Sequence, residues 1–272
     1  MSSLRVSAVS FLNTCPLVWG LQHGPQRGVF DLSFDIPSIC ADRLAHGTAD
    51  VGLVPVIEAK RQKLDFLPNL GIACNGPVRS ILLVSRVPAP QIRTLAADCS
   101  SRTSVALARL ILRERYHADP EFLPHEPRLD LMLETADAGL LIGDSALRIH
   151  PDDLPYHVYD LGQEWKWMTG LPMVFAVWAA RPGILSPEVA AVFQASYDFG
   201  HQCLGSIIEQ ESEVRGFDRD LVRQYLTNYI YFQLTQDCRA GLDHFLSLAE
   251  LTPARPGVSP GGRLGKQRCG RQ

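Results

Sequence analysis

Five stretches of this chain gather polar side chains suited to small anions, each where an apolar run ends. Phe11-Leu12-Asn13-Thr14-Cys15-Pro16-Leu17 offers Asn13, a neutral side chain with both an amide donor and a carbonyl acceptor. It can meet a ligand, or it can cap the helix that Pro16 opens. Asn75-Gly76-Pro77-Val78-Arg79-Ser80 is a turn feeding a strand, in which Ser80 contacts a ligand or satisfies backbone groups. Ser100-Ser101-Arg102-Thr103-Ser104 joins a strand to a helix. Hydroxyls, a guanidinium and the unpaired N–H groups of a helix start converge there, as a carboxylate or phosphate requires, although hydroxyls at a helix start are also ordinary caps. Gly143-Asp144 ends the apolar run at 138–142, where Asp144 can face a ligand or cap the next helix. Trp165-Lys166-Trp167-Met168-Thr169-Gly170-Leu171-Pro172 is aromatic and ends in a turn, which reads first as core.

The elements that position these stretches alternate. Residues 4–9 alternate apolar and polar as a strand does, a short helix follows Asn13 and Pro16, and 31–36 reads as a second strand. Ser38 can cap a helix through His46, 49–54 is a short apolar strand, and Pro55 opens a helix to about Lys63. Strand–helix–strand order of this kind belongs to a parallel sheet with crossover helices. After a strand at 80–84, Val87-Pro88-Ala89-Pro90 breaks the pattern and reads as a crossing between lobes. Strands at 94–97, 121–123, 138–142 and 156–159 follow, with a helix over 102–116. The strand at 174–179 returns to the first lobe, and beyond Ser186 the pattern is helical to about Glu250. The expected domains are therefore a first lobe of residues 1–86 and 180–252, a second lobe of 87–179, and a tail of 253–272. One lobe interrupted by another is the organisation of the α/β, two-lobed type II periplasmic-binding-protein-like fold. Its mixed, mostly parallel sheets carry flanking helices, and its ligand cleft lies between the lobes, at the carboxyl ends of the strands.

Composition narrows the function classes. With 46% hydrophobic residues in 272, the chain can bury a large core or two smaller ones. No run of eighteen apolar residues exists, so no membrane span is expected, and the N-terminus shows no signal-peptide pattern. Seven scattered cysteines without a Cys-x-x-Cys suit reduced thiols in a cytoplasm and suggest neither disulfides nor a metal site. Residues 253–272 hold Arg255, Arg263, Lys266, Arg268 and Arg271 and no acid, and their composition is that of a disordered tail. Without them, 21 basic residues face 29 acidic ones, an acidic body that argues against nucleic acid as a partner.

Taken together, FLNTCPLVWGL, CNGPVRSILLVS, SSRTSVALARL, LLIGDSALR and DLGQEWKWMTGLPMVFAVWAAR resemble, in order and spacing, the signatures of the chorismate dehydratases of the futalosine route to menaquinone. The resemblance covers about residues 5–181. The cyclic dehypoxanthine futalosine synthases share the fold, but typically show a His where this chain has Gly143-Asp144. The resemblance implies a lyase that removes water from chorismate, giving 3-[(1-carboxyvinyl)oxy]benzoate. It implies no metal, nucleotide or flavin, and a small dicarboxylate as the partner. It gives Asn13 a role at the leaving hydroxyl. It assigns Ser80, Ser101, Arg102, Thr103 and Ser104 to the carboxylates, and adds Gly143, Asp144, Thr169 and Gly170 to the substrate site. No His or Lys stands at a matched strand end, so the enolpyruvyl carboxylate of the substrate is the expected proton acceptor. Two rival readings are a non-enzymatic anion-binding protein of the same fold and a serine hydrolase. The second rests on Gly143-Asp144-Ser145 and Asp198-Phe199-Gly200-His201, but Ala146 breaks the first motif and a helical pattern contains the second.

Overall fold

The computed structural model describes residues 3–251, and the basic tail at 253–272 lies outside the described residues. The chain begins β1 (Arg5–Val9), α1 (Cys15–His23), β2 (Asp31–Asp35), α2 (Pro37–Ala45), β3 (Val51–Pro55) and α3 (Val56–Arg61). Both β2 and β3 pair parallel to β1, the arrangement that crossover helices permit. Two long strands, β4 (Asp65–Cys74) and β10 (Met173–Ala180), then extend the sheet antiparallel, and β11 (Tyr231–Gln233) closes its edge. The order is β11-β4-β10-β3-β1-β2. Strands β3 and β10 are buried along their whole length, consistent with their unbroken apolar sequences VGLVP and MVFAVWAA.

Between β4 and β10 the chain builds a second sheet from β5 (Ile81–Ser85), β6 (Thr94–Asp98), β7 (Glu121–His125), β8 (Ala138–Ile142) and β9 (His157–Asp160), in the order β7-β6-β8-β5-β9. The helices α4 (Arg102–Tyr116), α5 (Leu129–Thr135), α6 (Asp144–Leu147) and α7 (Leu161–Thr169) accompany it. After β10 come α8 (Pro187–Gln202), α9 (Leu204–Arg215), α10 (Arg219–Gln224), one π-helical turn (Tyr225–Tyr229), β11 and α11 (Gln236–Leu251). One hydrophobic core runs through both sheets and includes Trp165, Trp178, Phe193 and Tyr225, while a smaller cluster around Met132 and Leu141 backs the second sheet. No helix among the described residues is long and apolar enough to cross a membrane.

Sheet pairing moves the crossings read from sequence. The strand β5, expected in the first lobe, pairs with β8 and β9 in the second sheet, so the chain crosses at 75–80 rather than at 87. The Pro88-Ala89-Pro90 break is a short 3-10 turn, Ala89–Gln91, between two strands of one sheet. The return falls before Met173, since β10 pairs with β3 and β4. Two strands were not read at all. In β4 the ladder to β10 jumps from Gly71 to Phe66, and Pro68 sits in the gap, where it need not donate. Strand β11 is three residues long and lies within a region of helical composition.

Parallel pairing puts the carboxyl ends of β1, β2 and β3 on one edge of the first sheet. In the second sheet β6, β8 and β9 run the same way and β5 runs opposite. One edge of that sheet therefore carries residues 99–104, Gly143, Asp144 and, at the start of β5, Ser80. The two edges face each other. Ser38 N donates to Ser100 O at 2.8 Å, Ile57 N to Thr103 Oγ1 at 3.4 Å, and Leu12 N to Asp144 Oδ1 at 3.0 Å. A ligand cleft in such a fold lies along this seam.

Candidate active site

Asn13 follows β1 in a buried 3-10 turn, Leu12–Thr14, pinned from both sides. Leu12 N is held by Asp144, and α1 behind the turn packs on α8 so closely that a Cβ on Gly200 would collide with the carbonyl of Pro16. The Asn13 side chain does not cap α1, whose N-cap is Thr14 with no side-chain hydrogen bond. It reaches instead across 212 residues, where Nδ2 donates to Tyr225 Oη at 3.0 Å. Tyr225 Oη in turn donates to Ser80 Oγ at 2.8 Å. All three residues are buried, and Asn13 Oδ1 has no hydrogen-bond partner among the described residues. An unsatisfied buried carbonyl costs free energy, so an acceptor left open at the end of a polar chain is a place for a ligand donor.

Ser80 is fixed by its own segment. Asp160 Oδ2 accepts from Arg79 N at 2.6 Å and its Oδ1 from Val78 N at 2.9 Å, while the same carboxylate caps α7 through Gly162 N and Gln163 N. Burial raises the pKa of Asp160, against the pull of these four N–H groups. The Arg79 guanidinium donates to the carbonyls of Ala146, Leu147 and Ile149. Opposite Ser80 in the ladder, Gly143 N donates to Ser80 O at 2.8 Å. Gly143 has φ 64°, and a Cβ there would lie 2.8 Å from the ring of Phe11, so only glycine suits this close crossing of the two edges.

Asp144 does not cap α6, whose N-cap is Gly143. Its carboxylate accepts from Leu12 N and pairs with Arg215, which also binds Glu211 Oε2 at 2.7 Å and Ser10 O at 3.1 Å. Burial works against the charge of Arg215, but Asp144 and Glu211 outweigh it and hold its pKa above the ordinary value. Cys15, against the same cluster, is pushed up to about 12, mainly by burial, and is a neutral thiol.

The other expected residues are differently engaged. Ser101 and Ser104 share a hydrogen bond of 3.1 Å at the start of α4, and Ser101, its N-cap, makes no side-chain cap bond. Thr103 is fully buried, its hydroxyl taken by Ile57 N. Arg102 bridges the sheets: its Nη2 donates to Asp42 at 2.9 Å, while its buried Nη1 lies 3.2 Å from Glu58 as an ion pair without a hydrogen bond among the described residues. Glu58, mostly buried, keeps a lowered pKa because Arg61, Gln62 and Arg102 together outweigh its desolvation. Thr169 and Gly170 end α7. The Thr169 hydroxyl donates to Trp165 O at 2.9 Å and accepts from Leu171 N at 3.2 Å, and Gly170 is the exposed left-handed cap at φ 74°. They join no hydrogen bond with Asn13 or Ser80, and the Gly-Leu-Pro sequence there serves to stop a helix.

Arg102→Gln should therefore leave the KM for substrate within about threefold. It should lower stability by about 1–3 kcal/mol, because Glu58 and Asp42 lose a partner. Steady-state kinetics and thermal unfolding check both halves; a KM raised tenfold or more would return Arg102 to the substrate.

Tyr225 and Arg215 were not anticipated from sequence. A signal existed for the tyrosine: Val222, Tyr225 and Leu226 have the i, i+3, i+4 spacing of a buried helix face, and a buried tyrosine hydroxyl needs a partner.

A mixed two-sheet fold with a polar seam between the strand ends defines the class. It is the fold of periplasmic binding proteins: the aliphatic sulphonate-binding protein of Escherichia coli superposes at a TM-score of 0.60 and 16% identity, covering 99% of this chain and 97% of that one. Within that fold the chain belongs to the menaquinone-biosynthesis family, whose model matches residues 4–251. Similar relatives are the chorismate dehydratase of Thermus thermophilus, 34% identical over 203 residues (68% of this chain, 73% of that protein), and that of Campylobacter jejuni, 25% identical over 243 residues (88% and 94%). The fold expected from the order of elements and the family expected from the five motifs both hold.

Proposed function

We propose that this protein dehydrates chorismate to 3-[(1-carboxyvinyl)oxy]benzoate in the cleft between its sheets. The observation that carries the site is the buried chain Asn13–Tyr225–Ser80, which ends in an acceptor without a partner among the described residues. The hydrogen on the ether-bearing ring carbon leaves as a proton, and its electron pair forms the new ring double bond. The neighbouring carbon–oxygen bond breaks, and the hydroxide departs as water. The product ring is aromatic, so the protein has only to lower the barrier by positioning and hydrogen bonding.

All three side chains of the buried network are neutral, and the nearby Asp144 is committed to Leu12 and Arg215. This supports the substrate's own enolpyruvyl carboxylate as the proton acceptor, with Asn13 at the leaving hydroxyl and Ser80 as a donor to a carboxylate. The start of α4, with Ser101, Thr103 and Ser104, offers backbone N–H groups to the second carboxylate. The six described cysteines are unpaired, which suits a reducing cytoplasm.

Incubating the purified protein with chorismate and following the product by mass spectrometry tests the reading. Stoichiometric conversion to the benzoate is expected. Tight binding without conversion would make the chain a binding protein of the same fold instead.

A further inference from the structure

We propose that Tyr225 is a positioning residue of this reaction, fixing which hydrogens of Asn13 and Ser80 face the substrate. The inference rests on the reading of the cleft as a chorismate site and adds a residue from a different part of the chain. Tyr225 is 1% exposed, and burial raises its phenol pKa, so its hydroxyl is neutral and carries one hydrogen. That hydrogen is given to Ser80 Oγ, and a lone pair on Oη is filled by Asn13 Nδ2. A serine oxygen that accepts from Tyr225 keeps its own hydrogen for another acceptor, and an amide that has given one N–H keeps the second N–H and its carbonyl. Tyr225 therefore leaves two donors and one acceptor: Ser80 O–H, one N–H of Asn13, and Asn13 Oδ1. That set matches a carboxylate at Ser80 O–H and the single ring hydroxyl of chorismate at Asn13, which can meet it as donor or acceptor.

The backbone supports the assignment. Tyr225 is the first residue of the π-helical turn Tyr225–Tyr229 that interrupts the run from α10 into β11. Such turns re-aim one side chain relative to a regular helix and recur at functional sites. The phenol also joins parts of the chain that are otherwise remote, the turn after β1 and the crossing before β5, so both edges of the cleft share one hydroxyl.

Tyr225→Phe keeps the ring in the core and removes only the hydroxyl. With chorismate as substrate, kcat should fall by about 10- to 100-fold while KM stays within about threefold, since the donors remain but lose their fixed directions. In a Ser80→Ala background the same change should cost at least about threefold less than in the parent, because one of the two residues through which Tyr225 acts is already gone. Unchanged kcat with only a lowered melting temperature would reduce Tyr225 to a core residue and overturn the proposal, as would losses in the two backgrounds that multiply. Titration calorimetry with chorismate on the same four proteins separates this from the underlying reading. A parent that binds without turnover defeats the enzymatic reading, and the Tyr225–Ser80 coupling is then judged in Kd, where its absence overturns the proposal. A parent that neither binds nor turns over chorismate overturns both.

Discussion

Asn13→Ala should lower chorismate turnover by about 100-fold or more while reducing stability by about 1–2 kcal/mol. The stability term is small because Thr14, not Asn13, is the N-cap of α1, so no helix end is opened. What is lost is one N–H donated to Tyr225, offset by removal of an acceptor that has no partner among the described residues. The catalytic term is large because Asn13 would act on the leaving hydroxyl, the group whose charge develops most in the elimination. Product affinity provides the control. The benzoate has lost that hydroxyl, so its Kd should change by no more than about threefold in the variant. Steady-state kinetics, product calorimetry and thermal unfolding measure the three quantities. Turnover equal to the parent would remove Asn13 from the mechanism, and an equal loss in kcat and product affinity would make it a general binding group.

The sequence was most legible where local chemistry decided structure. Apolar runs bounded by Gly, Pro or hydroxyl residues gave β1, β3, β6 and β8 and the helix α4 with small errors in their ends. Sheet membership was less legible, because an unbroken apolar run within 80–84 says that a strand exists and nothing about its neighbours. The Pro-rich break after β5 looked like a link between lobes, whereas the true crossing is the tighter turn at Asn75–Ser80, locked by Asp160 from 81 and 82 residues away. Along the seam, the residues after strand ends were legible and their partners were not. Asn13, Ser80, Gly143 and Asp144 do come together on the facing edges. Arg102 was read as an anion holder because a guanidinium at a helix start fits that role. Its selection of Asp42 and Glu58 follows from the approach of α2 and α3 across the seam, which no local pattern encodes. Tyr225 and Arg215 lie in a helical region whose amphipathic spacing looks the same whether a buried polar tip meets core or cleft.

The same long-range logic predicts the behaviour of Asp144. Asp144→Ala should lower stability by about 3 kcal/mol and kcat by about tenfold or more, two effects with separate causes. The first is electrostatic. Asp144 and Arg215 are 23% and 21% exposed, too little for water to replace the lost carboxylate fully, and Glu211 alone must then balance the guanidinium. The second is geometric, since Leu12 N loses its acceptor and the turn carrying Asn13 is released. Asp144→Asn divides the two. An amide carbonyl can still accept from Leu12 N, so turnover should stay within about threefold of the parent although the ion pair is gone and stability falls. Adding Arg215→Ala to Asp144→Ala should cost less than the sum of the single losses by about 1–2 kcal/mol, because the unbalanced charge leaves with the arginine. Denaturant unfolding and kinetics on these variants decide it. If Asp144→Asn were to lose as much turnover as Asp144→Ala, the negative charge itself would serve the reaction, and the hydrogen bond to Leu12 would not be how Asp144 acts.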